Sequence, residues 1–425
     1  MESGLASRKY FLLAIAAVLL APPWTAPTAG QIQRINSVTA ITEVFGDGQR
    51  LTAVAVEFDK EIDGSKLAKS TFAVEGRTVT DVLARSSANL GPKMKVGKFV
   101  IIELSPDDAN APLYIRQHSN VIRKEAKALV TQTGPVVTVD GTTYNVVAEA
   151  RVNDRVENLI VDEFRQFAFT DPKTGLVLNY NLFVPKTYDA TRSYPLVLFM
   201  HDAGATSTVT DTTLVQGLGA VVWASPDDQR RREAFVLAPQ YATQIVNDKS
   251  EASSFLDVTV ELLKGLCNTY SIDKSRLYTT GQSGGAMMAI AMSIRHPDLF
   301  AASFLVAGQW DPSLVKPLAK QRLWVVVSEG DLKAYPGQNA IMTALQQDGA
   351  KVSRAVWSGR STPNEFSSTM QAMEAEGSPI NYVVLRKGTV VLPGQDDDGG
   401  SNHINTWRIA YQIEGIRDWI FRQHK

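Results

Sequence analysis

The chain has 425 residues, 44% of them hydrophobic and 20% charged, a balance that suits a soluble globular protein long enough for two domains. Its 43 Lys and Arg stand against 44 Asp and Glu, so no charge excess exists to recruit nucleic acid or an anionic membrane. The single cysteine, Cys267, excludes an internal disulfide framework; it lies in the helical pattern 258-VTVELLKGLCNTY-270 as a small packed residue, with no catalytic-thiol signature around it.

Residues 1–30 have the layout of a secretory signal peptide. Basic Arg8 and Lys9 precede the apolar run 11-FLLAIAAVLLA-21, and small residues and prolines follow in 22-PPWTAPTAG-30. The apolar run is too short to span a bilayer comfortably. Cleavage is expected near Ala26 to Gly30, with release outside the cytoplasm and no membrane attachment afterwards.

Residues 31–157 read as strands. The segments 51-LTAVAVEF-58, 71-TFAVEG-76, 77-RTVTDVLA-84, 98-KFVIIEL-104, 135-PVVTVDG-141 and 144-YNVVAEARV-152 alternate apolar and polar residues and are separated by turn residues. This predicts an all-β sandwich of immunoglobulin type. His118 is isolated here and reads as a loop histidine.

From residue 158 to 425 the pattern changes. A hairpin is predicted over 164–185, turning at 171-DPKTG-175. Apolar runs at 195–200, 235–240, 276–281, 301–308, 323–330 and 352–357 then alternate with helical patterns at 254–270, 285–297, 338–349 and 405–423. Continuous apolar strands separated by helices predict an α/β domain, a doubly wound parallel sheet covered on both faces. The polar segment 359–378 reads as an insertion or loop.

One motif in this half carries chemistry. In 279-TTGQSGGAMMA-289, a strand runs into Ser283 and a helix begins directly after it, the context of a nucleophile elbow. Small Gly281, Gly284, Gly285 and Ala286 surround the serine, as the tight turn requires. The Gly284 N–H can donate to a developing oxyanion.

A serine hydroxyl needs a base. Of the five histidines, His403 in 398-DGGSNHINTW-407 is selected: a glycine-rich loop before the last helix is where a doubly wound hydrolase places its base. Asp331, ending the strand 323-LWVVVSEG-330, is the preferred acid, because strand C-termini collect site residues and the order Ser, acid, His is kept. Glu329 and the run Asp396 to Asp398 are the neighbouring carboxylates. The Ala203 N–H, in 201-HDAGA-205, is the candidate second oxyanion donor. His201 reads equally as a loop-shaping or a plain loop residue. Gln282, Gln309 and Trp310 are candidate pocket residues, with loop packing an equal reading for the last two. The mechanism so read is acyl transfer and requires no metal and no organic cofactor.

The segments "YPLVLFMHDAG", "IDKSRLYTTGQSGGAMMA", "HPDLFAASFLVAGQW", "SEGDLKAYPG" and "NHINTW…IRDWIF" resemble esterases related to polyhydroxybutyrate depolymerases and prolyl-oligopeptidase-like hydrolases. With the strand-rich first half, the whole chain is similar to bacterial secreted esterases that carry an N-terminal immunoglobulin-like domain. The resemblance implies a nucleophile, acid and base at Ser283, Asp331 and His403. It also implies short-chain acyl esters as small-molecule substrates and a non-catalytic immunoglobulin-like domain. One departure is visible: His201 is followed by Asp202 where the family has glycine. A prolyl-oligopeptidase-like peptidase and a polyester depolymerase are the alternative activities; the oligomeric state, a homo-oligomer included, is left open.

Overall fold

The computed structural model describes residues 34–89, 94–117 and 120–425. The expected signal peptide and His118 lie outside the described residues. Ile35–Lys425 cluster as one unit.

The first half is built around two main sheets, with two small two-stranded pairs, Val136–Val137 with Thr143–Tyr144 and Tyr114–Gln117 with Asn120–Arg123, beside them. A five-stranded sheet has the order Arg155–Asn158, Ile35–Phe45, Gly48–Asp63, Val96–Leu104, Val79–Arg85, and a three-stranded sheet has the order Val147–Val152, Leu129–Gln132, Phe72–Val74. The long strand Gly48–Asp63 alternates so that Val54, Val56 and Phe58 point inward. They meet Val100 and Ile102 of the same sheet and Phe72, Val74 and Val130 of the other in one apolar cluster. Period-two alternation thus builds the sandwich core. Of the segment 135–141, only Val136–Val137 is strand.

The second half is a nine-stranded sheet. Its order is Arg165–Thr170, Val177–Phe183, Phe235–Gln240, Tyr194–Met200, Ile272–Gln282, Ala302–Val306, Leu323–Ser328, Ile380–Leu385, Val352–Trp357. The first pair is the expected hairpin. Asp171 Oδ2 accepts the Thr174 N–H at 2.9 Å within its turn, and Gly175 takes a φ of +73° that disfavours side chains. From Phe235–Gln240 onward all pairings are parallel. The central strands Tyr194–Met200 and Leu323–Ser328 are buried at every residue, which is why they read as unbroken apolar runs rather than alternating ones.

Chain order reverses at Tyr194–Met200 and again at the far edge, where Ile380–Leu385 inserts between Leu323–Ser328 and Val352–Trp357; the first reversal concerns the site. After Tyr194–Met200 the chain adds Phe235–Gln240 on one side, then crosses to add Ile272–Gln282 on the other. Loops leaving the two strands diverge there and open a crevice, the usual ligand position in such sheets. The loops that meet at this crevice are 201–205 and the turn at Ser283.

Two expectations are corrected. The segment 359–378 is not a loop: Pro363–Ala375 is a helix. Thr362 Oγ1 accepts the Glu365 N–H and Glu365 returns a bond to the Thr362 N–H, a capping box with proline at the first helical positions. Met370 and Met373 supply its buried face. The second correction concerns the C-terminus, where the expected helix over 405–423 is two helices, Gly399–Ala410 and Glu414–Phe421. The first begins earlier than its periodicity suggests because Asp398 caps it, accepting the Ser401 N–H at 2.7 Å. His403 therefore stands on a helix, not on a loop. Among the described residues, no helix is long and apolar enough to cross a membrane.

Candidate active site

Ser283 sits between the strand Ile272–Gln282 and the helix Gly284–Arg295. Its φ of 52° and ψ of −120° are strained for a side-chain-bearing residue. Flanking glycines make the turn possible. A Cβ on Gly281 would stand 2.4 Å from the Gly285 carbonyl carbon, and one on Gly285 would stand 2.0 Å from the Met200 carbonyl oxygen. Gly284 is less crowded: its nearest neighbour would be the Ala203 nitrogen at 3.4 Å. Ala203 and Gly284 are therefore brought together across the crevice. Gly284 is also the first residue of its helix, where a backbone N–H has no intrahelical acceptor.

His403 reaches the serine from the helix Gly399–Ala410. Its Nε2 lies 2.8 Å from Ser283 Oγ, and its Nδ1 lies 2.5 Å from Asp331 Oδ2. The other carboxylate oxygen of Asp331 accepts the backbone N–H groups of Lys333 and Ala334 at 3.0 and 2.9 Å. Burial alone pushes the Asp331 carboxyl up. The hydrogen bond and charge of His403, with the two backbone N–H groups, outweigh this and hold it below the ordinary 3.8. An ionised carboxylate so held fixes the imidazole with its proton on Nδ1 and leaves Nε2 to accept from the serine. Among the described residues, no group of three or more His, Cys, Asp or Glu is placed to hold a metal ion.

Segments of both the strand-rich half and the sheet domain match known families. Residues 37–145 match the esterase Ig-like N-terminal domain, and residues 173–377 match the putative esterase family. The chain belongs to the esterases with an Ig-like N-terminal domain. It is similar to a thermostable esterase of known crystal structure, with 28% identity and a TM-score of 0.79, over 92% of this chain and 100% of that one. It is also 51% identical over 91 residues to acetylxylan esterase A of Emericella nidulans; that match spans 18% of this chain and 30% of the relative's length.

The remaining candidates of this esterase-family chain take varied places. Gln282 does not line a pocket. It is 2% exposed, and its amide donates to Asp202 Oδ2 at 3.1 Å and Gln216 Oε1 at 3.3 Å. Trp310 does not stand at an open pocket: it is buried in the hydrophobic core. Gln309 is half-buried and donates to Asp248 at 3.4 Å. Glu329 turns away from His403 and accepts the Lys387 N–H at 3.0 Å. Asp397 and Asp398 serve the helix start, bonding Asn402 and the Ser401 N–H. His201 is fully enclosed. Its Nε2 accepts the Tyr241 N–H at 3.0 Å, and its Nδ1 lies 2.7 Å from the Asp202 carbonyl. Burial pushes its imidazole down, so it is neutral and shapes the loop.

Sequence reading missed two supporting residues. Asn402 accepts the Ser328 Oγ–H at 2.8 Å, which pins the helix of His403 to the strand that carries Asp331. Its adjacency to His403 was the available signal. Arg116 comes from the Ig-like domain and bonds Asp202; no local pattern marks it.

Proposed function

We propose that this protein is a serine carboxylic-ester hydrolase for esters with short acyl chains, working through an acyl-enzyme intermediate. The observation that carries the reading is the pair of contacts at His403: 2.8 Å to Ser283 Oγ and 2.5 Å to Asp331 Oδ2. Ser283 Oγ attacks the ester carbonyl carbon while His403 Nε2 takes its proton. Asp331 stabilises the imidazolium that forms. The N–H groups of Gly284 and Ala203 receive the oxyanion. His403 then gives its proton to the leaving alkoxide, and water, deprotonated by the same base, cleaves the acyl-enzyme.

The preference for short acyl chains rests on two supports. Val246 Cγ2 and Ala203 Cβ would stand 3.6 and 3.7 Å from a Cβ on Gly284, so apolar atoms flank the turn beside the serine. A relative named for an acetyl ester shares 51% identity over its matched segment. We further propose export through the N-terminal segment 1–30, supported by its basic, apolar and small-residue order.

The test is turnover of a chain-length series of p-nitrophenyl esters by the wild type and Ser283→Ala. Turnover falling at least about 10³-fold in the variant, together with a maximum at short chains, is expected. Wild-type turnover by Ser283→Ala would remove the reading.

A further inference from the structure

The Ig-like domain reaches the candidate site with one side chain. The antiparallel pair Tyr114–Gln117 and Asn120–Arg123 lies against the loop that carries Ala203. From it, Arg116 grips Asp202 in a two-pronged pair: Nη1 donates to Oδ1 and Nη2 to Oδ2, both at 2.9 Å. Nη2 also donates to Gln216 Oε1 at 2.9 Å. A second pair, Arg123 with Asp211 at 2.6 and 2.9 Å, fastens the same two strands further along.

Asp202 is the hub of this arrangement. Its Oδ1 accepts the Gly204 N–H at 2.8 Å, and its Oδ2 accepts from Gln282 at 3.1 Å. It therefore ties together Gly204, the residue after Ala203, and Gln282, the residue before Ser283. Its side chain is 3% exposed, so without a cation it would be an uncompensated buried charge. Gly204 is fitted to the same guanidinium: a Cβ there would stand 2.8 Å from Arg116 Nη1. The guanidinium also packs on the base side, 5.1 Å from the centre of the Trp407 ring. Trp407 lies one helical turn after His403, and the two rings meet edge to face at 5.2 Å. One cation from the Ig-like domain thus touches both the oxyanion loop and the packing behind the base.

We propose that Arg116 is a positioning residue: it holds the Ala203 N–H at the oxyanion and backs the His403 helix, making the Ig-like domain part of the catalytic apparatus. The inference rests on the serine-hydrolase reading above. It also accounts for an aspartate where a glycine is usual, because Asp202 is the receptor for the cation.

The experiment compares Arg116→Ala, Arg116→Lys, the double variant Arg116→Ala/Asp202→Gly and Ser283→Ala in the full chain. Ester kcat and KM, the rate of fluorophosphonate labelling and the melting temperature are read for each. Arg116→Ala is expected to lower kcat and the labelling rate about 10- to 100-fold, with KM within about twofold, because a displaced oxyanion donor acts in the transition state. Arg116→Lys keeps charge but not the fork and should fall between. The double variant removes the buried charge with its partner. It should regain melting temperature while kcat stays at least about tenfold low. If the double variant or Arg116→Lys is folded with kcat within about twofold of wild type, the inference is overturned. Ser283→Ala separates the two ideas: inactive Ser283→Ala beside active Arg116 variants sinks this inference alone, whereas active Ser283→Ala sinks the hydrolase reading itself.

Discussion

His403 Nδ1 and Asp331 Oδ2 stand 2.5 Å apart, and the second oxygen of Asp331 is taken by two backbone N–H groups. The carboxylate has no freedom to serve anything else. Asp331→Asn keeps the shape but presents an amide where an acceptor is needed, and so favours the wrong imidazole tautomer. It should lower kcat by about four orders of magnitude with the fold intact. Asp396→Asn, on the exposed loop nearby, should stay within about twofold. Steady-state ester kinetics check both; the reverse ranking would mean that the acid is another carboxylate.

The glycines of the elbow should differ sharply in tolerance. A methyl at Gly285 would press into the Met200 carbonyl, and one at Gly281 into the Gly285 backbone. Neither neighbour is a flexible side-chain end. Gly281→Ala and Gly285→Ala should each cost about 3 kcal/mol. Gly284→Ala meets its nearest atom at 3.4 Å and should cost about 1 kcal/mol or less. Urea unfolding midpoints would rank the three, and equal losses would show that the turn relaxes.

Acid should expose the Arg116–Asp202 pair. Burial pushes the Asp202 carboxyl up, but the charge and hydrogen bonds of Arg116 prevail, and the folded value lies below the ordinary 3.8. A lowered carboxylate stabilises the fold fully above its unfolded pKa. That stability is lost as pH falls through the folded value. The melting temperature of the wild type should therefore drop more steeply between about pH 5 and about pH 2 than that of Arg116→Ala/Asp202→Gly, which lacks the component. Parallel melting profiles would contradict this.

A second buried carboxylate tests stability far from the chemistry. Asp228 accepts Arg417 Nε and Nη2 at 2.9 and 3.1 Å and Arg232 Nη2 at 2.7 Å, with all three side chains less than 10% exposed. It fastens the helix Glu414–Phe421 to the body of the sheet domain. Asp228→Ala leaves two buried guanidinium groups short of an acceptor and should cost about 3–5 kcal/mol, read from chemical denaturation. KM should not move, since Asp228 touches none of the site residues described.

Much of this architecture is local in origin and therefore legible along the chain. Period-two alternation in 51–58 and unbroken apolar runs in 195–200 and 323–330 report how many faces of a strand are buried. Gly281 and Gly285 report a turn that admits no Cβ, and the order Ser283, Asp331, His403 follows from which strand and helix ends carry reactive side chains. Where local signals compete, reading by periodicity fell short: the Thr362–Glu365 capping box and the Asp398 cap set helix starts that hydrophobic spacing did not reveal. Tertiary structure alone decided what closes over the crevice. Arg116 and Asp202 are 86 residues apart, and their encounter depends on how the sandwich seats against the sheet domain, which no neighbouring residue encodes. Gln282 likewise turns inward because Asp202 needs donors once it is buried. A buried charge recruits partners by proximity in space, and proximity in space is the one property a single stretch of sequence does not carry.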